Sequence, residues 1–166
     1  CASDFPDIRT EISSLLQVEA ELQEIVQLVG SDALPIDQQL TLEVARMIRE
    51  FFLQQNAFHD VDTYSNLELQ YKMASAILTF QDSAKKAIDA GALLEDVVNI
   101  PARTDLMRGR FEEGYGDRIN DLVDKMNKQM VTTWNVVVRE KEKIVRLYCP
   151  TCWNTAKRVI KENTGD

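Results

Sequence analysis

Apolar residues recur at steps of three and four along most of the first 130 residues, which is the spacing of one buried face of a helix. Glycines, prolines and short polar runs separate these stretches, as expected where helices end. The pattern predicts several amphipathic helices that pack side by side. The four apolar seams are Leu15, Val18, Leu22, Ile25 and Val29; Leu40, Val44, Ile48 and Phe51 or Phe52; Leu69, Met73, Ile77, Phe80, Ala84 and Ile88; and Ile119, Leu122, Met126 and Met130.

Local signals set the ends of these helices. Gly30 favours a left-handed cap for the first helix, and Pro35 can begin the second, which we expect over about Ile36 to Gln54. Gly91 closes the third helix at a C-cap position. Further caps are predicted at Ser65 with Glu68, at Thr104 and Asp105 for a segment to Arg110, and at Asp117 for the last helix, with Phe111 to Gly116 as a linker.

The C-terminal stretch is ambiguous. Val131 to Val138 is rich in β-branched residues and fits either a strand or a continuing helix, and REKEK with IVRLY fits the turn and partner of a hairpin. The helix is favoured because REKEK consists of good helix formers. The predicted fold is thus all-α, an antiparallel helical bundle over residues 4–130 with an extension or non-native tail of uncertain structure over 131–166.

Composition excludes several classes of protein. Hydrophobic residues at 45% and charged residues at 28% are ordinary globular values, so one folded domain is expected. The chain lacks a signal-peptide pattern and a run of apolar residues long enough to insert in a membrane, so a cytosolic protein is expected. A net charge of −8 argues against nucleic acid or an anionic membrane as a partner.

Candidate chemistry outside the seams is sparse. Cys149 and Cys152 form a CxxC, but the sequence offers no second pair to complete a zinc site, so reduced thiols are favoured over a metal shared between molecules. His59 is the single histidine and is interpreted as a loop residue that hydrogen-bonds its surroundings. Glu19, with Glu21 and Glu24, is interpreted as ordinary solvated helix surface.

Four stretches carry a resemblance to a known family. They read ELQEIVQLVGSDALP, EVARMIREFFLQQNAFHDVDTY, LELQYKM and, more loosely, NIPARTDLMRGRFEE. This part of the chain, from near Asp4 to about Gln129, resembles the C-terminal helical domain of the catalytic A subunit of V-type and archaeal A-type rotary ATPases.

The resemblance implies two sites at opposite ends of the second helix. In the family, the segment that matches LQQNAF lies against the adenine of the nucleotide, which implies this role for Phe58 with neighbouring residues; without the resemblance, Phe58 would be interpreted as a core residue. The turn before the second helix corresponds to a loop that contacts the rotor. The implied adenine-binding residues are Gln55, Asn56, Ala57 and Phe58, with Phe52 as a less certain second aromatic, and the implied rotor contacts are Ser31, Asp32, Ala33, Leu34 and Pro35.

The resemblance also implies partners and limits. Expected partners are the B subunits, the central-stalk subunits and the upstream nucleotide-binding domain of the same polypeptide, in the soluble sector of a membrane-attached complex. ATP or ADP with Mg²⁺ would bind the full-length protein, but the chain has no P-loop, so we expect no cofactor and no ATP hydrolysis by this chain alone. Cys1 suggests that a longer parent chain was cut here. The alternative is a stand-alone helical adaptor with a CxxC metal or thiol site, which would have no need of LQQNAFHDVDTY.

Overall fold

The structure is a computed structural model that describes residues 3–54, 67–109, 112 and 114–148, with side chains as far as residue 132. Within these ranges the chain forms helices and no strand, which confirms the all-α prediction. A 3₁₀ turn over Ser31–Ala33 separates the first two helices, and a π-helical turn over Ile48–Leu53 continues the second. The α-helices are α1 (Phe5–Val29), α2 (Ile36–Met47), α3 (Leu67–Asp89), α4 (Leu94–Val98), α5 (Pro101–Gly109) and α6 (Tyr115–Tyr148).

Pairs of contacts fix the directions of the helices. The short connection makes α1 and α2 an antiparallel hairpin, and α2 runs antiparallel to α3, because the start of α2 lies beside the end of α3. The Lys72 ammonium donates to the Gly116 carbonyl at 3.1 Å, and the Ser83 hydroxyl donates to Asn127 Oδ1 at 2.8 Å. Since both numbers rise together, α3 and α6 run parallel, with α4 and α5 as the return between them.

The core lies around α3, which packs against α1, α2, α4 and α6. An ionic contact crosses it: the Arg103 guanidinium binds the Glu43 carboxylate at 2.8 Å and the Val98 carbonyl at 2.8 Å, and lies 5.5 Å from the centre of the Phe80 ring. This arginine ties α5 to α2, α3 and the end of α4. The largest fully buried side chains are Phe51, Phe80, Met47, Ile48, Ile77, Leu106, Ile119, Met126, Val44 and Val97.

The predicted seam of α1 is wrong in part. Leu22 is buried, but Val18 is 41% exposed, Ile25 44% and Val29 59%. The face of α1 that meets the bundle instead contains Ile12 and Leu22 as buried residues. The chain offers two overlapping apolar stripes on α1, and the packing selects the other one.

Two predicted caps are also wrong. Helix α5 begins at Pro101, so Thr104 and Asp105 lie inside it, and the Ala102 N–H is instead capped from α6 by Gln129 Oε1 at 2.9 Å. Helix α6 begins at Tyr115, which places Asp117 in its first turn and Tyr115 and Gly116 outside the expected linker. The glycine at the end of α3 is confirmed, since Gly91 has a φ of 101°, whereas the Ser65 cap lies outside the described residues.

Helix α6 continues without a break through residue 130 to Tyr148. The hairpin alternative for this stretch is therefore wrong, and the favoured helix is confirmed. The division into units 4–130 and 131–166 falls inside α6 and stays a prediction. Among the described helices, none combines the length and the apolar character that a bilayer span requires.

Candidate functional site

The turn between α1 and α2 is fixed by backbone geometry. Gly30 has a φ of 84° and a ψ of 159°, and its N–H donates to the Val26 carbonyl at 2.8 Å. The positive φ agrees with the prediction, but the extended ψ differs from a left-handed cap and is a conformation essentially restricted to glycine. One 3₁₀ turn follows, closed by the Leu34 N–H on the Ser31 carbonyl at 3.1 Å.

The side chains of this turn fall into two groups. Ser31, Asp32, Ala33 and Pro35 are exposed, whereas Leu34 is only 6% exposed. The Leu34 carbonyl accepts a hydrogen bond from the Gln39 side-chain amide at 2.8 Å, which holds the turn against the start of α2. Four of the five predicted rotor-contact residues are therefore accessible, and Leu34 anchors the turn from below.

Exposed apolar side chains flank the turn on both helices. Leu28 is 85% exposed, Val29 59% and Ile36 51%. The nearby carboxylates of Asp32 and Asp37 are also exposed. The surface at this end of the hairpin is thus mainly apolar, with two negative charges.

The other end of α2 carries the π-helical turn. Its last hydrogen bond joins the Gln54 N–H to the Arg49 carbonyl, five residues back, at 2.8 Å. Phe51 is buried, and the predicted second aromatic, Phe52, is half-buried and packs against the core. The chain leaves the described range directly after Gln54, which is exposed.

Phe51 joins this turn to the start of α6. Its ring meets the Tyr115 ring edge to face, with 6.2 Å between the centres. The Tyr115 hydroxyl donates to the Leu106 carbonyl at 2.7 Å, so both ends of this tyrosine are engaged. The junction fixes the π-helical turn against α5 and α6.

An ion pair joins the same turn to α1, and it corrects the sequence interpretation of Glu19. This side chain is not solvated: Glu19 is 4% exposed, and its Oε2 accepts a hydrogen bond from Arg49 Nη2 at 2.6 Å. A second arginine, Arg46, pairs with Glu50 on the outer surface at 2.9 Å. The hydrogen bond from Glu50 and its negative charge raise the pKa of the Arg46 guanidinium above its ordinary value.

Glu19 could have been found from its position in the sequence. It lies seven residues after Ile12 and three before Leu22, both of which are buried, so a charge at 19 on that stripe requires a buried partner. The identity of the partner could not be predicted, because Arg49 is 30 residues away.

Several predicted residues lie outside the described part of the chain. These are Gln55, Asn56, Ala57 and Phe58 of the implied adenine-binding segment, the loop residue His59, and the thiols Cys149 and Cys152. Within the ranges that the structure does describe, no three acidic, histidine or cysteine side chains come together as a metal site.

Comparisons with known proteins agree with the two-ended hairpin. A family model described as the C-terminal domain of V and A type ATP synthase matches residues 1–98. The catalytic-sector A subunit of the A-type ATP synthase of Methanosarcina mazei is 48% identical over 128 residues, which cover 77% of this chain and 22% of that protein. The corresponding protein of Natronomonas pharaonis is 51% identical over 127 residues, covering 76% and 22%.

A bacterial relative gives the same result. The V-type ATP synthase alpha chain 1 of Clostridium tetani is 50% identical over 110 residues, which cover 66% of this chain and 19% of that protein. The chain thus spans about a fifth of the length of the curated relatives it matches. From the extent of the family match and the level of identity, the chain belongs to the family of C-terminal domains of V- and A-type ATP synthases.

Proposed function

We propose that this chain is the C-terminal helical domain of the catalytic A subunit of a proton- or sodium-translocating V/A-type ATP synthase. In this role it completes the adenine pocket and carries nucleotide-driven motion to the central rotor. The observation that carries the proposal is the α1–α2 hairpin, which ends in an exposed, rigid turn on one side and leads into residues 55–58 on the other.

The adenine end combines an aromatic side chain with a firm base. Phe58 follows the π-helical turn by a few residues, and that turn is held by the Phe51–Tyr115 contact and the Glu19–Arg49 pair. An aromatic ring placed on a base contributes dispersion and stacking that do not depend on charge. Gln55, Asn56 and Ala57 would line the same side of the pocket, with Phe52 behind them.

The rod between the two ends supports transmission of motion. The helical stretch 36–53 is roughly 27 Å long at 1.5 Å per residue. It packs against α1 and α3 along its length, and Leu40, Val44, Met47, Ile48 and Phe51 are all buried. A closely packed helix moves as a nearly rigid element, so a displacement at the nucleotide end would reach the turn.

The turn suits a contact that depends on shape. Ser31, Asp32, Ala33 and Pro35 project from a backbone held by Gly30 and by the anchored Leu34, and the flanking exposed residues are apolar. We assign this surface to the central-stalk subunits. The remaining partners would be the B subunits and the upstream domain of the same polypeptide, which would hold ATP or ADP with Mg²⁺ in the soluble, cytoplasmic sector of the complex.

Replacing Phe58 by alanine in the assembled enzyme tests the adenine role. The ring would bind substrate and transition state alike, so its loss should raise KM for ATP by an amount worth about 1–2 kcal/mol and leave kcat nearly unchanged. Steady-state ATP hydrolysis measures both constants. Leu53→Ala, which removes an exposed apolar side chain nearby, is the control and should change neither. A fall in kcat at constant KM would assign Phe58 to another role.

A further inference from the structure

The π-helical turn is not demanded by its own sequence. The stretch from Ile36 to Leu53 contains no glycine or proline that would force the chain out of an α-helix. π-Helical turns are rare, and they are found frequently at functional sites. Something outside this segment must therefore favour the wider turn.

The wider turn has a consequence for the two aromatic residues inside it. A π-turn rotates the chain by a smaller angle per residue than an α-helix does, so neighbouring residues stay closer to one face. Phe51 and Phe52 accordingly both contact the core, one fully buried and one half-buried. In a regular α-helix two consecutive residues would diverge more widely.

Arg49 contributes to this geometry through two groups. Its carbonyl accepts the hydrogen bond from the Gln54 N–H that closes the turn, and its guanidinium binds the Glu19 carboxylate. Among the described residues, Glu19 is the one charged side chain that is almost fully buried. A buried carboxylate requires a cation with good geometry, so Glu19 constrains where Arg49 can lie.

We propose that Glu19 and Arg49 are positioning residues, which hold the π-helical turn and thereby set the direction in which the chain leaves Gln54 toward the adenine-binding segment. The inference rests on the proposed function, because it concerns the same adenine site. Neither residue touches the nucleotide in this account. Their effect passes through the backbone of Arg49 and Gln54.

Replacing Glu19 by alanine tests the pair without leaving a buried charge, since Arg49 is largely exposed on its own. In the assembled enzyme, Glu19→Ala should raise KM for ATP roughly three- to tenfold, with kcat within about twofold of wild type. The matched control is Arg46→Gln, which breaks the exposed Arg46–Glu50 pair on the same helix and should leave KM unchanged.

Amide hydrogen exchange in this 166-residue chain provides a readout that does not depend on ATP. Glu19→Ala should accelerate exchange of the Gln54 amide and leave the Gly30 amide, which donates to the Val26 carbonyl, at its wild-type rate. A merely structural role for the pair would accelerate both amides together. If Glu19→Ala prevents folding, Glu19→Gln carries the same test, because it keeps the size of the side chain and one acceptor.

The outcomes separate the two proposals. If Phe58→Ala raises KM and Glu19→Ala does not, the positioning role is overturned and the adenine pocket stands. If Glu19→Ala leaves the Gln54 amide protected, the pair does not hold the turn and the inference fails without reference to ATP. If Gln54 is deprotected while Phe58→Ala leaves KM unchanged, the adenine role fails, and the inference fails in its functional part.

Discussion

Tyr115 shows how a single side chain can determine its neighbours. Its ring fills the space beside Gly109, where a Cβ atom would lie 2.4 Å from a ring carbon. The ring also meets Phe51, and its hydroxyl is satisfied by the Leu106 carbonyl. The end of α5 must therefore be glycine for α6 to begin where it does.

Gly109→Ala should lower the free energy of unfolding by about 1–3 kcal/mol, because the added methyl group forces the Tyr115 ring to move in a packed core. Urea denaturation of the chain measures the loss. Gly116→Ala is the control: its nearest contact would be Leu69 at 3.6 Å, so it should be neutral or stabilising by up to ~1 kcal/mol in a helix. Equal stability of wild type and Gly109→Ala would show that the ring is free to shift.

At the scale of the elements, periodicity predicted the helices and tertiary contacts decided their faces. The seam of α2 was predicted correctly, because Leu40, Val44, Ile48 and Phe51 form one apolar stripe with no competitor. Helix α1 has two stripes, and the one that carries the charged Glu19 is buried because Arg49 compensates it. The π-helical turn leaves no local signal, since the residues that favour it lie in α1 and α6.

Helix α6 gives a prediction about its own distal half. The described core residues of α6 are Tyr115, Ile119, Met126 and Met130, and Val131 is already half-exposed. Truncation after residue 132 should therefore preserve the helical signal per residue and a cooperative thermal transition by circular dichroism. Truncation after residue 124, which removes Met126 and Met130, should abolish that transition. Loss of cooperativity in the longer variant would make the tail part of the core.

For the whole molecule, the hairpin places its two candidate sites at opposite ends of one rod. The resemblance predicted both sites, and the structure describes the turn but not residues 55–58. The parallel arrangement of α3 and α6 was not predictable from seams alone, because it depends on how the short helices α4 and α5 reverse the chain. These helices bring the α6 face with Ile119 and Met126 against α3.

A cysteine at Ala33 tests the central claim, that this hairpin connects the nucleotide end with the rotor. Ala33 is exposed in the turn, and Gln17, exposed midway along α1, is the control position. In the assembled enzyme, Ala33→Cys should form a disulfide with a cysteine on the central stalk and stop ATP-driven rotation until reduced, whereas Gln17→Cys should not. Alanine at Asp32 and Asp37 should leave most of the torque, because the contact depends on shape. Failure of cysteines at Ser31, Ala33 and Pro35 alike to reach the stalk would contradict the account.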